Sequence, residues 1–245
     1  MDFTSGGLVT GNIVVTAMLI FALVAASLRA RILDGKGVFA AALLGFFVGC
    51  LGHWTWLLML LCFLLSSHLA TKWRFDEKTA KGLSESIDGH RSWGNVVANG
   101  GLPGLVAILA FILDDHENGI WVFSAAVAVA ASDTFASEIG CLDDRVRMIT
   151  TMKKCEAGVN GGFSPNGQLA AAAGSIIIAA LTFVAEPSLE LAGMVALLGW
   201  LGCQVDSVLG AVLENRGLMT KGTVNAAAIT SGILIMWIYL GSPHL

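Results

Sequence analysis

Long apolar runs alternate along the chain with shorter polar stretches, at a spacing that suits neither strands nor one-faced surface helices. Eight runs occur, at Leu8–Leu28, Val38–Gly52, Trp54–Thr71, Trp93–Leu113, Ile120–Gly140, Gln168–Ala185, Leu191–Leu213 and Thr223–Leu240. A hydrocarbon core of roughly 30 Å takes about 20 apolar residues as a helix, so each run predicts a span, with the second short and glycine-containing. Backbone polar groups in lipid must be paired within the segment, which a helix does. The fold class that follows is all-α: a polytopic transmembrane helix bundle of about eight spans. The chain reads as one integral-membrane domain over residues 1–245, its polar chemistry carried by loops and helix ends.

Composition and charge narrow this further. A chain 56% hydrophobic and 13% charged, with mean hydropathy +0.76, is too apolar for a soluble domain of this size. No Lys or Arg precedes the first run, and that run is too long for a signal-peptide core, so it is expected to stay in the mature chain. All 14 Lys and Arg fall in the loops after the first, third, fifth and seventh spans, which hold three, five, four and two of them. The positive-inside rule then predicts those loops, and an active site built on them, on the cytoplasmic side, with both termini outside. No nucleic-acid partner is expected, and a homo-oligomer is left open. The five cysteines form no CxxC pair, so neither a zinc site nor a disulfide framework is indicated.

The polar residues inside the spans are the candidates for chemistry. Ser132-Asp133-Thr134-Phe135-Ala136-Ser137-Glu138 closes the fifth run, and an Asp at the centre of a spanning helix costs about 2.5 to 3.5 kcal/mol. Asp133 and Ser137 share a helical face, with Thr134 and Glu138 on a second polar edge. At about 1.5 Å per residue, Asp133 lies roughly 20 Å from the outer end of its span, and Asp206 comes out at a similar depth. Asn95, Asn99 and Asn225 reach the same layer. Gly202, Asp206, Gly210 and Glu214 form one stripe on the seventh span, where small residues let backbones approach. Asp133, Glu138 and Asp206 are the expected metal ligands, for Mg²⁺.

Two loops add to this set. The stretch from Lys153 to Gly167 is rich in glycine and precedes a helix start, so backbone N–H groups and the helix dipole can face an anion. Lys153, Lys154, Gly158, Asn160, Gly161, Gly162 and Ser164 are the candidates there, although no Walker A pattern is present. In the loop 72–92 the lysines read as a surface facing solvent and lipid headgroups. Arg91 is the better phosphate ligand, because it borders the Asn95/Asn99 face and can fork onto two oxygens. The histidines show no partner pattern.

Four ordered motifs carry a likeness: Ser92-Trp93-Gly94-Asn95-Val96-Val97-Ala98-Asn99-Gly100-Gly101; the Ser132–Gly140 stretch; Ile149-Thr150-Thr151 followed by Gly158-Val159-Asn160-Gly161-Gly162-Phe163-Ser164; and Gly202-Cys203-Gln204-Val205-Asp206-Ser207-Val208-Leu209-Gly210-Ala211. They resemble an integral-membrane family that includes the plant phytyl-phosphate kinase and animal transmembrane protein 19, and more distantly dolichol kinase and the CDP-lipid synthases. The resemblance implies transfer from CTP or another nucleoside triphosphate to an isoprenyl monophosphate, with Mg²⁺. Taken with the loop chemistry above, which supplies Arg91, Lys153 and Lys154, it puts Asp133, Arg91, Lys153 and Asn99 in catalytic roles, and Lys154, Gly158, Asn160, Gly161, Gly162, Ser164, Asn95 and Ser137 against nucleotide or phosphate. Val159 departs from the family's usual Thr, which removes a hydroxyl contact at that point.

Three functions compete: a kinase of a lipid monophosphate, a cytidylyltransferase making a CDP-lipid, and a non-enzymatic transporter or scaffold. A transport path needs polar residues through both leaflets. The outer halves of the fourth, fifth and seventh spans are almost wholly apolar, which argues against the third.

Overall fold

A computed structural model describes residues 5–84, 86 and 88–241. Its helices are α1 (Thr10–Ala30), α2 (Gly35–Phe47) prolonged by a π-helical turn Val48–Gly52, α3 (Trp54–Lys72), α4 (Phe75–Ala80), α5 (Trp93–Ile112), α6 (His116–Gly140), α7 (Pro165–Ala185), α8 (Leu189–Val212) and α9 (Lys221–Gly241). All except α4 are long and apolar enough to cross a membrane, the π turn counted with α2, which gives eight spans among the described residues. The chain is a multi-pass integral-membrane helix bundle. Between α6 and α7 a small antiparallel hairpin pairs β1 (Arg147–Met148) with β2 (Gly162–Phe163).

Several helices start a little before their apolar runs, because a polar residue caps them. Asp34 accepts from Gly37 N–H, Asp115 from Asn118 N–H, Ser164 from Gly167 N–H and Ser188 from Leu191 N–H. Each cap satisfies an N-terminal donor and contributes about 1 kcal/mol.

The bundle is arranged around α6, which is buried from Gly119 through Ser132. Glycines of its neighbours lie directly on it: Gly174 on Ala131, Gly199 on Ala128, and Gly202 and Gly232 on Val129. A Cβ at Gly202 would sit 2.4 Å from Val129 Cγ2. In lipid, helices associate through such van der Waals contact and interhelical hydrogen bonds, here Ser132 Oγ donating to Ala171 O at 2.8 Å. On α8, Gly199 and Gly202 therefore set the distance to α6, while Gly210, further along the stripe, lies under the Asn160–Gly161 turn.

Only His53 separates the π turn from α3, so backbone groups are freed in apolar surroundings and need partners. The buried Asn12 supplies them, donating to Gly7 O (2.7 Å) and Gly49 O (2.8 Å) and accepting from Trp54 N–H (2.8 Å). His116 Nε2 lies 2.8 Å from Leu51 O at the same level.

Alternation of the spans puts the loops after α1, α3, α6 and α8 at one end, which carries all 14 Lys and Arg. At this basic end α4 folds back so that Lys78, only 1% exposed, enters the bundle. Its Nζ lies 2.6 Å from Glu138 Oε2 and 3.1 Å from Ala70 O, while Thr71 Oγ1 donates to Glu138 Oε1 at 2.5 Å. The expectation that every lysine of this loop faces solvent fails at Lys78, whose ammonium finds a carboxylate and a carbonyl inside.

Candidate functional site

Two clefts open at the basic end. The larger, about 370 Å³, lies between the glycine-rich loop and helices α6, α7 and α8. The other, about 250 Å³, lies against α5 and is lined by His90, Arg91, Asn95, Asn99 and Asn225 among others. Asp133, Ser137 and Lys221 line both, so the two clefts share one wall.

That wall follows from helix packing. Gly202 of α8 closes onto Val129 of α6, and one turn further along both helices Asp206 meets Asp133. The two carboxyl groups are in hydrogen-bonding contact, with the buried Cys203 beside them. Lys221, at the start of α9, is within electrostatic reach of Asp206. Asn225, one turn along α9, donates its amide to Asp206 Oδ2 (3.1 Å) and to Lys221 O (2.9 Å) when oriented to satisfy both.

Two carboxylates in contact repel as anions, and a cation between them removes the repulsion. Mg²⁺ is commonly held by one or two carboxylates with phosphate and water oxygens completing the octahedron. The Asp133/Asp206 pair fits that pattern. Among the described residues no group of three or more His, Cys, Asp or Glu side chains gathers as a metal site. The expected third ligand, Glu138, follows Asp133 by five residues and so points about 140° away around the helix. Both its oxygens are engaged by Lys78 and Thr71, which takes it out of the metal set.

The glycine-rich loop reaches this pair because glycine lets it. Gly158 and Gly161 both have φ of +82°, a region that side chains rarely adopt. A Cβ on Gly161 would lie 2.5 Å from Ala211 Cβ and 2.8 Å from Ser207 O, so the loop rests on α8 within about a turn of Asp206. Gly158, Asn160, Gly161 and Gly162 all line the larger cleft, as does the departing Val159. Ser164 lines it too, with its hydroxyl committed as the α7 cap, accepting from Gly167 N–H at 3.1 Å and donating to Gly140 O at 3.4 Å. The positive end of the α7 dipole therefore borders the cleft.

Lys153 and Lys154 are exposed on the hairpin and do not line the cleft. The cation that does is Lys221, which sequence reasoning missed although it stands four residues before Asn225 on the same helix. Gln168 was missed as well: its Oε1 accepts from Trp200 Nε1 (3.0 Å) and Gln204 Nε2 (2.9 Å). That fixes the amide and leaves its NH₂ for the cleft.

In the smaller cleft Arg91 is held by its backbone, donating to Ile32 O (3.0 Å) and accepting from Asp34 N–H (3.2 Å). Its buried guanidinium sits over the Phe63 ring, 5.9 Å from the centroid. Ser92 caps α5 and sets the phase that places Asn95 and Asn99 on one face. Asn99 Nδ2 donates to Asn95 O at 3.0 Å, while its buried Oδ1 has no hydrogen-bond partner. An acceptor buried this way costs about 1 to 3 kcal/mol, so it marks a place for a donor.

Asp143 anchors the hairpin to α7. It accepts from Arg145 N–H (3.0 Å), Nε (2.9 Å) and Nη2 (3.0 Å), and from Asn166 N–H (3.0 Å). The Arg145 side chain, chiefly, with the backbone donors, holds the Asp143 carboxyl down from 3.8 to about 2. A carboxyl lowered on folding stabilises the protein above its unfolded value, and that contribution is lost as pH falls through the folded value. The apparent Tm of the wild type in detergent is thus expected to drop between pH 4 and 2 by more than that of Asp143→Asn. Parallel curves would show that the carboxylate contributes nothing.

A multi-pass helical protein with paired acids, amides and a glycine-rich loop gathered at one end is the class that fold and site define. The chain belongs to the integral membrane protein family DUF92, whose model matches residues 18–237 and so takes in Asp133 and Asp206, the loop and Lys221. It is similar to an uncharacterized membrane protein of Methanocaldococcus jannaschii, 32% identical over 213 residues, which covers 86% of this chain and 87% of that protein. Protein PGR of Arabidopsis thaliana is 30% identical over 186 residues, 65% of this chain and 64% of its own length. An uncharacterized membrane protein of Synechocystis is 27% identical over 216 residues, 83% of each chain. No solved structure matches the chain. The names of these relatives carry no activity.

Proposed function

We propose that the protein transfers the terminal phosphoryl group of a nucleoside triphosphate, CTP being the first choice, to an isoprenyl-type lipid monophosphate at the cytoplasmic membrane face. The observation that carries this reading is the pair of clefts sharing Asp133, Ser137 and Lys221. A transfer enzyme needs two anionic substrates side by side with charge-stabilising groups between them, and a transporter needs no such junction.

In this reading the larger cleft takes the nucleotide. Backbone groups of Gly158 to Gly162 and the α7 N-terminus border its phosphates, Lys221 supplies positive charge, and the fixed amide of Gln168 offers a donor to the base. Arg91 and the second N–H of the Asn99 amide hold the lipid phosphate in the smaller cleft. A lipid phosphate oxygen attacks the γ-phosphorus, the bond from that phosphorus to the β-phosphate oxygen breaks, and the nucleoside diphosphate leaves. A phosphate monoester is already a nucleophile, so positioning and charge stabilisation suffice and no general base is assigned. When bound by Asp133 and Asp206, Mg²⁺ would neutralise phosphate oxygens on both sides of the junction.

Purified protein incubated with geranylgeranyl or phytyl monophosphate, Mg²⁺ and each nucleotide in turn is expected to give the lipid diphosphate by mass. A CDP-lipid with pyrophosphate release would assign attack to the α-phosphorus instead, and no lipid product would remove the transfer reading.

Gly161→Ala is expected to weaken nucleotide binding about tenfold, since left-handed backbone costs a residue with Cβ about 1 to 2 kcal/mol before the contact with Ala211 is counted. Gly193→Ala, at a glycine with open space around it, is the control. Equal affinities would reduce the loop to a connector. For sidedness, cysteines replacing Glu117 and Arg147 are expected to label from opposite sides of sealed vesicles, with Arg147→Cys reached from the cytoplasmic side. Labelling of both from one side would overturn the orientation.

A further inference from the structure

We propose that the apolar groove between α1, α2, α3 and α5 holds the headgroup-proximal part of a single hydrocarbon chain, the chain of the lipid whose phosphate lies in the smaller cleft. This rests on the lipid-phosphate reading of that cleft. The groove is walled by Leu23, Ala41, Leu44, Leu57 and Leu64 with Val96. Three polar residues, Arg91, Asn95 and Asn99, line both groove and cleft, so the two adjoin there and the lining changes from polar to apolar at one place. An amphiphile with a phosphate at one end and hydrocarbon at the other matches that change. The polar end also carries a buried guanidinium, which suits a phosphate, and the unpartnered Asn99 Oδ1, which can accept from a protonated phosphate oxygen.

Depth and size narrow the ligand. Gly100, on the groove wall, lies about 10 Å along α5 from Trp93 at 1.5 Å per residue, so the groove descends from the basic end into the hydrocarbon layer. A Cβ on Gly100 or Gly104 would meet Leu44 at 2.3 and 2.6 Å, so Leu44 owes its position against α5 to these two glycines. The open volume is about 50 Å³. That admits a few methylene or isoprene carbons of one chain, with the remainder left to the bilayer, and it does not admit the two chains of a diacyl lipid. Selection then acts on the carbons nearest the phosphate, and total chain length counts for little.

The test uses the full chain in detergent and a C15 isoprenyl monophosphate carrying a diazirine near its headgroup, with cross-links mapped by mass spectrometry. Cross-links are expected on residues of α2, α3 and α5 that line the groove. Unlabelled C20 isoprenyl monophosphate should compete, and phosphatidic acid at the same concentration should not. Leu61→Trp and Val96→Trp, which fill the groove from two sides, should each lower labelling about tenfold with nucleotide affinity unchanged. Labelling outside the groove, no saturable labelling, equal competition by phosphatidic acid, or full labelling in both folded variants would overturn the proposal. Groove labelling without phosphoryl transfer would keep this site and remove the kinase reading. Transfer without groove labelling would do the reverse.

Discussion

Asp133→Asn and Asp206→Asn are each expected to fold as the wild type does and to lose lipid phosphorylation by on the order of 10²- to 10³-fold, the usual effect of removing one group that stabilises transition-state charge. Asn keeps the shape of Asp and removes its charge, so the Gly202–Val129 contact that brings α8 onto α6 is untouched. An Asn amide can donate to the remaining carboxylate and so keep the hydrogen-bonding contact of the wild-type pair, and neither substitution should lower stability. A ligand that binds only the folded state stabilises it by about RT ln(1 + [L]/Kd), near 2.7 kcal/mol at a hundredfold excess over Kd. Wild type should show such a gain from Mg²⁺ with nucleotide, and the two variants should not. Equal stabilisation of all three would place the cation elsewhere.

Lys78→Met is expected to be the most destabilising single change at the basic end, by about 3 to 5 kcal/mol, because it leaves the Glu138 carboxylate buried with its cation removed. Thr71 Oγ1 would still donate to it at 2.5 Å, but one hydroxyl does not replace a charge at 2.6 Å. A buried ion pair replaced on both sides is often neutral in stability, so Lys78→Met combined with Glu138→Leu should recover most of the loss. The apparent Tm in detergent reads this directly. An unchanged Tm in the single variant would mean that water reaches Glu138 and the pair is not sealed.

The spans were legible in the chain because lipid makes one demand, internally paired backbone, and eight apolar runs meet it. The Asp133–Asp206 meeting was legible for a related reason: both acids sit at one depth in helices of small residues. Glu138 shows what periodicity alone leaves out. Its angular offset from Asp133 was computable, but its partner Lys78 lies sixty residues earlier on a short helix that no apolar run announces. Lysine position misled in the other direction at Lys153 and Lys154. Nearness in sequence to the glycine turn suggested nearness to its ligand, whereas the β1–β2 hairpin carries both lysines away and α9 brings Lys221 in. The groove on α5 depends on side-chain shape around Gly100 and Gly104, which no single segment encodes.

The most direct measurement is anomalous diffraction from crystals grown with Mn²⁺ in place of Mg²⁺ and a non-hydrolysable nucleoside triphosphate. A single peak is expected between α6 and α8, within about 2.1 Å of one carboxylate oxygen each from Asp133 and Asp206, with the nucleotide phosphates against Gly158 to Gly162. A peak bound by Glu138, or a nucleotide bound with Asp133 and Asp206 still in contact and no metal between them, would contradict the assignment of these two residues as the centre of the site.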